Sequence, residues 1–260
     1  MPVKCRVEGR DNLSPVLPTS PFVPLRRLAS GEQLTQAEIL DVLAVTTRLK
    51  AQRRAGVADK PLLGRNLALL LDAPPRRGRS ALHRAALDLG VRVAEVRFGD
   101  PAIFAQDDLR ALARMLGRMY DAIDCGAMAL PLVRQIEKNA GVPVYDGLDR
   151  DQHPARALAD AMTLYEHCPR PVPGASIAFR GNAQTPRGCA FLRAARQLGF
   201  EVRVDDPGPP ASNDATFVVD ATHPTRWSFK SPSAALDAGE RSRNHRLILQ
   251  TVLLGTIART

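Results

Sequence analysis

From residue 34 onward, apolar positions along the chain switch between two periods. Leu34-Thr35-Gln36-Ala37-Glu38 opens a stretch whose apolar residues recur at helical spacing to about Lys50. Thr35 and Glu38 stand in the capping-box relation, in which a hydroxyl and a carboxylate each satisfy an unpaired N–H at a helix start. Asn66–Leu71 (NLALLL) is an unbroken apolar run, the pattern of a strand covered on both faces of a parallel sheet. Helices are predicted over 79–89, 107–119 and 131–139, with strands over 91–96, 121–124 and 142–145. Parallel strands need a crossover, usually a helix, so this alternation predicts a doubly wound sheet. A helix over 154–167 leads into a smaller α/β unit. That unit has strands over 175–179, 201–204 and 216–219, a helix over 187–198 and a Pro/Gly/Asp-rich loop over 205–214. Residues 240–257 read as a closing amphipathic helix.

The predicted fold class is α/β, with two doubly wound parallel-sheet domains, the second shortened. The boundaries fall at 34–153 and 154–260, behind a proline-rich N-terminal arm over 1–33. In that arm Pro15, Pro18, Pro21 and Pro24 recur every third residue, the turn of polyproline II. A disordered leader and an arm that packs on a partner fit equally well. The arm lacks the apolar core of a signal peptide, and Glu8 and Asp11 argue against a transit peptide. No window reaches the roughly 20 apolar residues of a membrane span. Cys5, Cys125, Cys168 and Cys189 lie far apart, which excludes a C-x-x-C zinc or redox site. The cytoplasm is the expected compartment.

Charge changes this picture little. The net +9 comes from 36 basic and 27 acidic residues, and 31 of the basic residues are arginine. They are dispersed, with no basic run longer than two, and three tyrosines and one tryptophan offer little base stacking. The pattern argues against a nucleic-acid partner.

The segment richest in chemistry is Leu71-Asp72-Ala73-Pro74-Pro75-Arg76-Arg77-Gly78-Arg79-Ser80, between a buried strand and a helix. Ligands of open α/β sheets bind at the carboxyl ends of strands, and helix N-termini favour anions. Arg76, Arg77, Gly78 and Arg79 therefore form a candidate phosphate or small-anion loop, or else a solvated basic turn. His153, at a loop–helix junction, is either a cap or packed ring, or a site residue. The five histidines show no H-x-x-x-H spacing, so neither a metal nor a cofactor is expected. Asp72 and Glu95 are isolated, Ser80 lacks a G-x-S-x-G setting, and Gly181–Gly188 lacks the dinucleotide spacing. Cys125 and Cys189 read as small buried residues.

Several ordered motifs carry a resemblance. Ala113-Arg114-Met115-Leu116-Gly117-Arg118-Met119-Tyr120-Asp121 comes first, then Gly141-Val142-Pro143-Val144-Tyr145-Asp146-Gly147-Leu148. His153-Pro154-Ala155-Arg156-Ala157-Leu158-Ala159-Asp160 follows, and Arg243-Asn244-His245 opens the last helix. Together they resemble the aspartate/ornithine carbamoyltransferase family, the ornithine branch especially, over most of 34–205 and the terminus. The resemblance implies two α/β domains, a cleft binding carbamoyl phosphate and an amino acid, and a trimer with active sites near subunit interfaces. It implies that His153 polarises the carbamoyl carbonyl, and that Asp220 binds the acceptor's α-amino group.

The departures are as informative. The family's Ser-Thr-Arg-Thr-Arg phosphate loop is here Pro75-Arg76-Arg77-Gly78-Arg79, which keeps two arginines but loses three hydroxyls. Pro75 also removes a backbone donor. Cys125-Gly126-Ala127 stands where the family has its next anion-binding arginine, and Arg156 stands at a glutamine position. Thr185-Pro186 replaces an Asn-Asn pair, and Thr222-His223-Pro224-Thr225 replaces a Ser-Met-Gly loop. The His-Cys-Leu-Pro motif is absent, and only 24 residues separate Asp220 from His245, which leaves that wall of the cleft open. The reading is a family member without ordinary ornithine carbamoylation, acting as a non-catalytic or regulatory subunit in a homo- or hetero-oligomer. The alternative is a repurposed enzyme moving a carbamoyl or related group from a phosphorylated donor to an amino-acid-like acceptor.

Overall fold

The computed structural model describes residues 22–56, 59–71, 79–97, 106–168, 174–205, 215–231 and 234–257. Among them, the first sheet contains β1 (Asn66–Leu71), β2 (Arg92–Arg97), β3 (Ala122–Asp124) and β4 (Val144–Tyr145), in the order β2-β1-β3-β4, all parallel. The NLALLL run sits in the sheet interior with its four central residues buried, as its unbroken apolar character requires. The crossovers are α3 (Ala81–Asp88), α4 (Gln106–Met119) and α5 (Leu130–Ala140). Leu130-Pro131 starts α5 with proline in the first turn, and Gly141 ends it in the left-handed conformation at φ 72°.

The second sheet contains β5 (Ser176–Gly181), β6 (Glu201–Asp205), β7 (Phe217–Ala221) and β8 (Ser228–Lys230), ordered β6-β5-β7-β8. Helix α7 (Pro186–Gln197) crosses between β5 and β6. Two corrections arise here. The sequence predicts no strand at 228–230, and β8 pairs antiparallel with β7, so this sheet is not wholly parallel. Three residues with Phe229 as the one buried member are too short to show a period. Strand β8 stands at the edge of this sheet, beyond β7.

The proline-rich segment brings a third correction. Helix α1 (Phe22–Ala29) lies inside the stretch read as an arm, with Leu25 and Leu28 in the core. Pro24 is buried in its first turn, where its missing N–H has no partner to lose, rather than extended in polyproline II. Pro15, Pro18 and Pro21 lie outside the described residues. Helix α2 (Gln36–Arg54) begins with the predicted capping box. Glu38 accepts from the Thr35 N–H at 2.7 Å, and the Thr35 hydroxyl accepts from the Glu38 N–H at 3.4 Å. Arg27 joins α1 to that box through Glu38 at 2.7 Å.

Helices α6 (Pro154–His167) and α8 (Ala238–Ile257) join the two halves. Helix α8 packs against α1, α2, α3 and α6. It is not amphipathic as predicted, because every residue from Leu247 to Leu253 is buried. Three of its buried polar side chains find partners on other helices and β4: Thr251 with Thr46 at 3.0 Å, Thr256 with Tyr145 at 2.6 Å, and Gln250 with Asp88 at 2.8 Å. At Gly255 a Cβ would run into the Leu25 side chain, so α1 lies directly against α8 there.

That contact yields a double-mutant test. Leu25→Ala is expected to cost about 2–5 kcal/mol and Gly255→Ala about 1–3 kcal/mol in urea unfolding. The double mutant should cost less than the sum, because the added methyl fills vacated space. Strict additivity would show that α1 does not pack on α8 at this point.

Candidate active site

The loops following β3 and β4 meet at the carboxyl end of the first sheet, where open α/β sheets bind ligands. Gly126 permits the convergence. Its φ is 54°, and a Cβ there would meet the Leu70 carbonyl oxygen at 2.6 Å. Beside it, buried Asp124 accepts from the Leu148 N–H at 2.8 Å and the Gly126 N–H at 3.2 Å. Burial pushes its carboxyl up to about 7, against those two hydrogen bonds. Asp124 therefore fastens the β4 loop to the end of β3.

The β4 loop carries Asp149 to the start of α3. Asp149 accepts from the Ala81 N–H at 2.8 Å, while Ser80 caps the helix by accepting from the His83 N–H at 3.1 Å. Burial raises the Asp149 carboxyl; the Ser80 hydroxyl, the Leu82 and Ala81 N–H groups and the Arg156 charge oppose that rise. A cavity of about 280 Å³ opens here, lined by Arg84, Asp149, Arg156, Arg243, His245 and Arg246 among others. The His245 Nδ1 lies 3.5 Å from Arg156 Nη1 and 3.9 Å from Asp149, while its Nε2 is buried without a hydrogen-bond partner. Burial, with the charge of Arg156 next in weight, pushes His245 down to about 3 and keeps it neutral.

Behind the cavity stands Asp160, fully buried. Arg187 donates to it at 3.2 Å, and Arg156 and Arg241 approach to 3.6 and 3.8 Å. The Arg187 and Arg241 guanidinium groups also lie 4.1 Å above the rings of Trp227 and Phe229.

The structure scatters the residues singled out in the sequence. Arg76, Arg77 and Gly78 lie outside the described residues, and Arg79 is exposed immediately before the α3 cap. His153 is the N-cap of α6, its Nδ1 accepting from the Ala155 N–H at 3.1 Å. Its ring is 4% exposed, and burial pushes it down to about 4. Since Nδ1 accepts in the neutral ring, Nε2 carries the proton. That Nε2 faces the α1–α2 turn, 3.9 Å from where a Gly31 Cβ would stand, and the Ala29 backbone there opposes the downward shift. His153 is not among the residues that line this cavity.

Asp220 is half-buried on β7 and engaged locally, accepting from the Thr222 N–H at 3.1 Å and its hydroxyl at 2.7 Å. Those bonds hold its carboxyl below the usual range. Thr185-Pro186 starts α7, with the Thr185 hydroxyl accepting from the Gly188 N–H at 3.0 Å. Cys125 is buried as expected, and burial pushes its thiol up. Cys189 is exposed instead, because it lies at the outer wall of a second cavity of about 240 Å³ between the α1–α2 turn, α6 and α7. Among the described residues no group of three or more histidine, cysteine or acidic side chains could hold a metal. None of the described helices is long and apolar enough to cross a membrane.

A family model described as "Aspartate/ornithine carbamoyltransferase, carbamoyl-P binding domain" matches residues 26–166, the segment that carries α1 to α6 and the whole first sheet. The chain belongs to the aspartate/ornithine carbamoyltransferase family. It is 34% identical over 182 residues to the catabolic ornithine carbamoyltransferases of Haemophilus influenzae and Pseudomonas putida, covering 70% of this chain and 54% of each relative. The chain thus spans about half the length of the curated relatives it matches. Its fold is similar to the crystal structure of ornithine carbamoyltransferase from Burkholderia thailandensis, with TM-score 0.63 and 19% identity over 89% of this chain and 99% of that one. It is similar also to aspartate transcarbamoylase from Trypanosoma cruzi in complex with phosphate, with TM-score 0.64 and 15% identity over 91% and 99%.

Sequence reasoning missed Asp149 and the Asp160 cluster. The i,i+4 spacing of Arg156 and Asp160 on a helix was a readable pair signal, but Arg187 and Arg241 reach it only through the tertiary fold. Asp149 meets Ala81 across 68 positions, and no local pattern marks that.

The buried histidines set an acid limit. Both fall below the ordinary imidazole value of 6.5, to about 4 and about 3, so the unfolded chain binds protons that the folded chain refuses. Their contribution is full above 6.5 and is lost as pH falls. Asp124 acts oppositely, because its raised carboxyl makes the folded chain bind the extra proton between 3.8 and about 7. Urea midpoints from pH about 4.5 to 6.5 should therefore rise with pH for the wild type, more steeply for Asp124→Asn and less steeply for His245→Gln. Identical slopes in all three would mean that these groups do not titrate as placed.

Proposed function

We propose that the chain is a non-catalytic or regulatory member of its family that does not carry out ordinary ornithine carbamoylation. The observation that carries this reading is the position of His153. Its Nδ1 is used as a helix cap, its ring is buried, and it stands off the cavity wall. A histidine that polarises a carbonyl must present its N–H to the position where the oxyanion forms. The other departures agree: Cys125 is buried and neutral, and Thr185-Pro186 starts a helix where the family has substrate amides. Asp220 is engaged by Thr222, and Arg76, Arg77, Gly78 and Arg79 lack the hydroxyls of the family loop. On this reading a carbamoyl-phosphate-binding-like unit over 34–153 and an amino-acid-binding-like unit over 154–260 form a cytoplasmic subunit of a homo- or hetero-oligomer, trimeric by family resemblance.

A second reading is favoured by the cavity itself. Four arginines and the unpartnered His245 Nε2 suit a phosphorylated or carboxylated substrate, so a repurposed transferase with an amino-acid-like acceptor is the alternative.

Incubation with carbamoyl phosphate and ornithine, with citrulline as the readout, separates the two. No product above the uncatalysed level is expected. Turnover in the enzymic range of about 1–10³ per second would overturn the non-catalytic reading.

A further inference from the structure

The cavity between the α1–α2 turn, α6 and α7 shares no lining residue with the one beside α3. Its volume is about 240 Å³, and its floor is formed by the buried side chains of Leu28, Leu34, Ile39 and Leu158. Hydrogen bonds hold its walls. Gln197 of α7 donates to the Leu34 carbonyl at 2.7 Å, while Arg27 donates to the Gln33 carbonyl at 2.6 Å and to Glu32 at 3.2 Å. Two charged side chains line the cavity, Glu32 and Arg193. The charge of Glu32 is met by Arg27, whereas Arg193, exposed on α7, has no ion pair among the described residues. The lining thus combines an apolar floor with one unmatched positive charge. A preformed apolar cavity with a few placed polar groups, at the join of two structural units, is the usual form of a small-molecule site.

We propose that this cavity binds a small aliphatic monocarboxylate, with its alkyl body on the apolar floor and its carboxylate on Arg193. Charge selects the class. A planar guanidinium matches a carboxylate with two parallel hydrogen bonds. An ammonium group on the ligand finds no match, because Arg27 already engages Glu32. A second negative charge finds none either, because Arg193 is the one cation in the lining. Size agrees: at about 30 Å³ per water the cavity equals roughly eight waters, the bulk of an acid of about eight non-hydrogen atoms. The α1–α2 turn and α6 belong to the segment matched by the family model, and α7 lies beyond it. A bound acid therefore adds contacts between the two units and stabilises the folded chain. The inference goes beyond the non-catalytic reading and does not depend on it.

The test is calorimetric titration of 4-methylpentanoate into the full chain as wild type, Arg193→Gln and Ala190→Leu. Glutamine preserves helix propensity at an exposed position, and leucine at Ala190, on the cavity wall, fills the space. The wild type is expected to bind with a Kd of about 1 mM or tighter, and each variant at least about tenfold more weakly. The acid should raise the melting temperature of the wild type and leave that of Ala190→Leu unchanged. Leucine and 3-methylbutylamine, which carry an ammonium group, should bind at least about tenfold more weakly than the acid. A positional readout needs no variant: the exposed Cys189 thiol lies on the same wall, so saturating acid should slow its alkylation by iodoacetamide. Absence of binding to the wild type, affinity unchanged in both variants, or leucine or the amine bound as tightly as the acid would overturn the proposal. Citrulline formation would sink the non-catalytic reading and leave this site standing.

Discussion

Three guanidinium groups converge on one carboxylate that has no contact with water. Asp160, on α6, receives Arg187 from α7, Arg156 from its own helix and Arg241 from α8. A single negative charge does not balance three positive ones; Asp151 approaches Arg187 at 3.8 Å, and the remaining excess needs other support. Trp227 and Phe229 present their ring faces to Arg187 and Arg241, and the Trp227 carbonyl accepts from Arg241 at 2.9 Å. Burial lowers the Arg241 pKa, a direct sign of the cost of keeping these cations dry. Removing one partner of such a cluster leaves uncompensated buried charge, typically a loss of about 3–5 kcal/mol. The cluster is where α7 and the second sheet are tied to the helices that carry the first.

The same helices define the cleft. Helix α8 runs buried through most of its length, so it can be neither extended toward solvent nor shifted without breaking matched pairs on several sides. Near its start Asn244 donates to the Thr163 hydroxyl at 3.0 Å and to Glu166 at 2.9 Å, and Lys50 closes the set on Glu166 at 2.7 Å. His245 follows directly and is fixed in orientation by that packing. The cavity beside α3 is therefore bounded by side chains on rigid elements, Arg156 and His245 among them, and by two loop residues, Asp149 and Asp151. The loop is in turn pinned by buried Asp124 through the Leu148 N–H.

Local physics was legible in the sequence, and long-range pairing was not. The Thr35–Glu38 capping box, the NLALLL strand and the Pro154 helix start each depend on neighbours within four positions, and each stands where the pattern put it. Helix α1 escaped because its prolines look like extended chain, and only the burial of Leu25 and Leu28 against α8 reveals a helix. Strand β8 escaped because three residues have no period. The amphipathic reading of α8 failed for the opposite reason: Thr251, Gln250 and Thr256 look like a polar face, yet each finds a partner inside the protein. At the site, the motif residues were legible as names. Their surroundings were not, since no spacing says that His153 turns toward Gly31 or that Asp149 finds Ala81.

The place of His153 at the start of α6 has a structural explanation. The N-cap of α6 needs a side-chain acceptor before Pro154, and a neutral imidazole supplies one through Nδ1. The same economy applies to the residues that replaced the family's ligands. Thr185 gives α7 its cap, Pro186 its first turn, and Cys125 fills a core position at the end of β3. Each site position is held by a residue with a local task that requires no substrate. A fold under that constraint keeps its architecture, because the energetic demands on capping and burial hold whether or not a substrate is bound. The family model matches residues 26–166, a stretch that includes the first sheet and most of α6, the helix that carries Asp160.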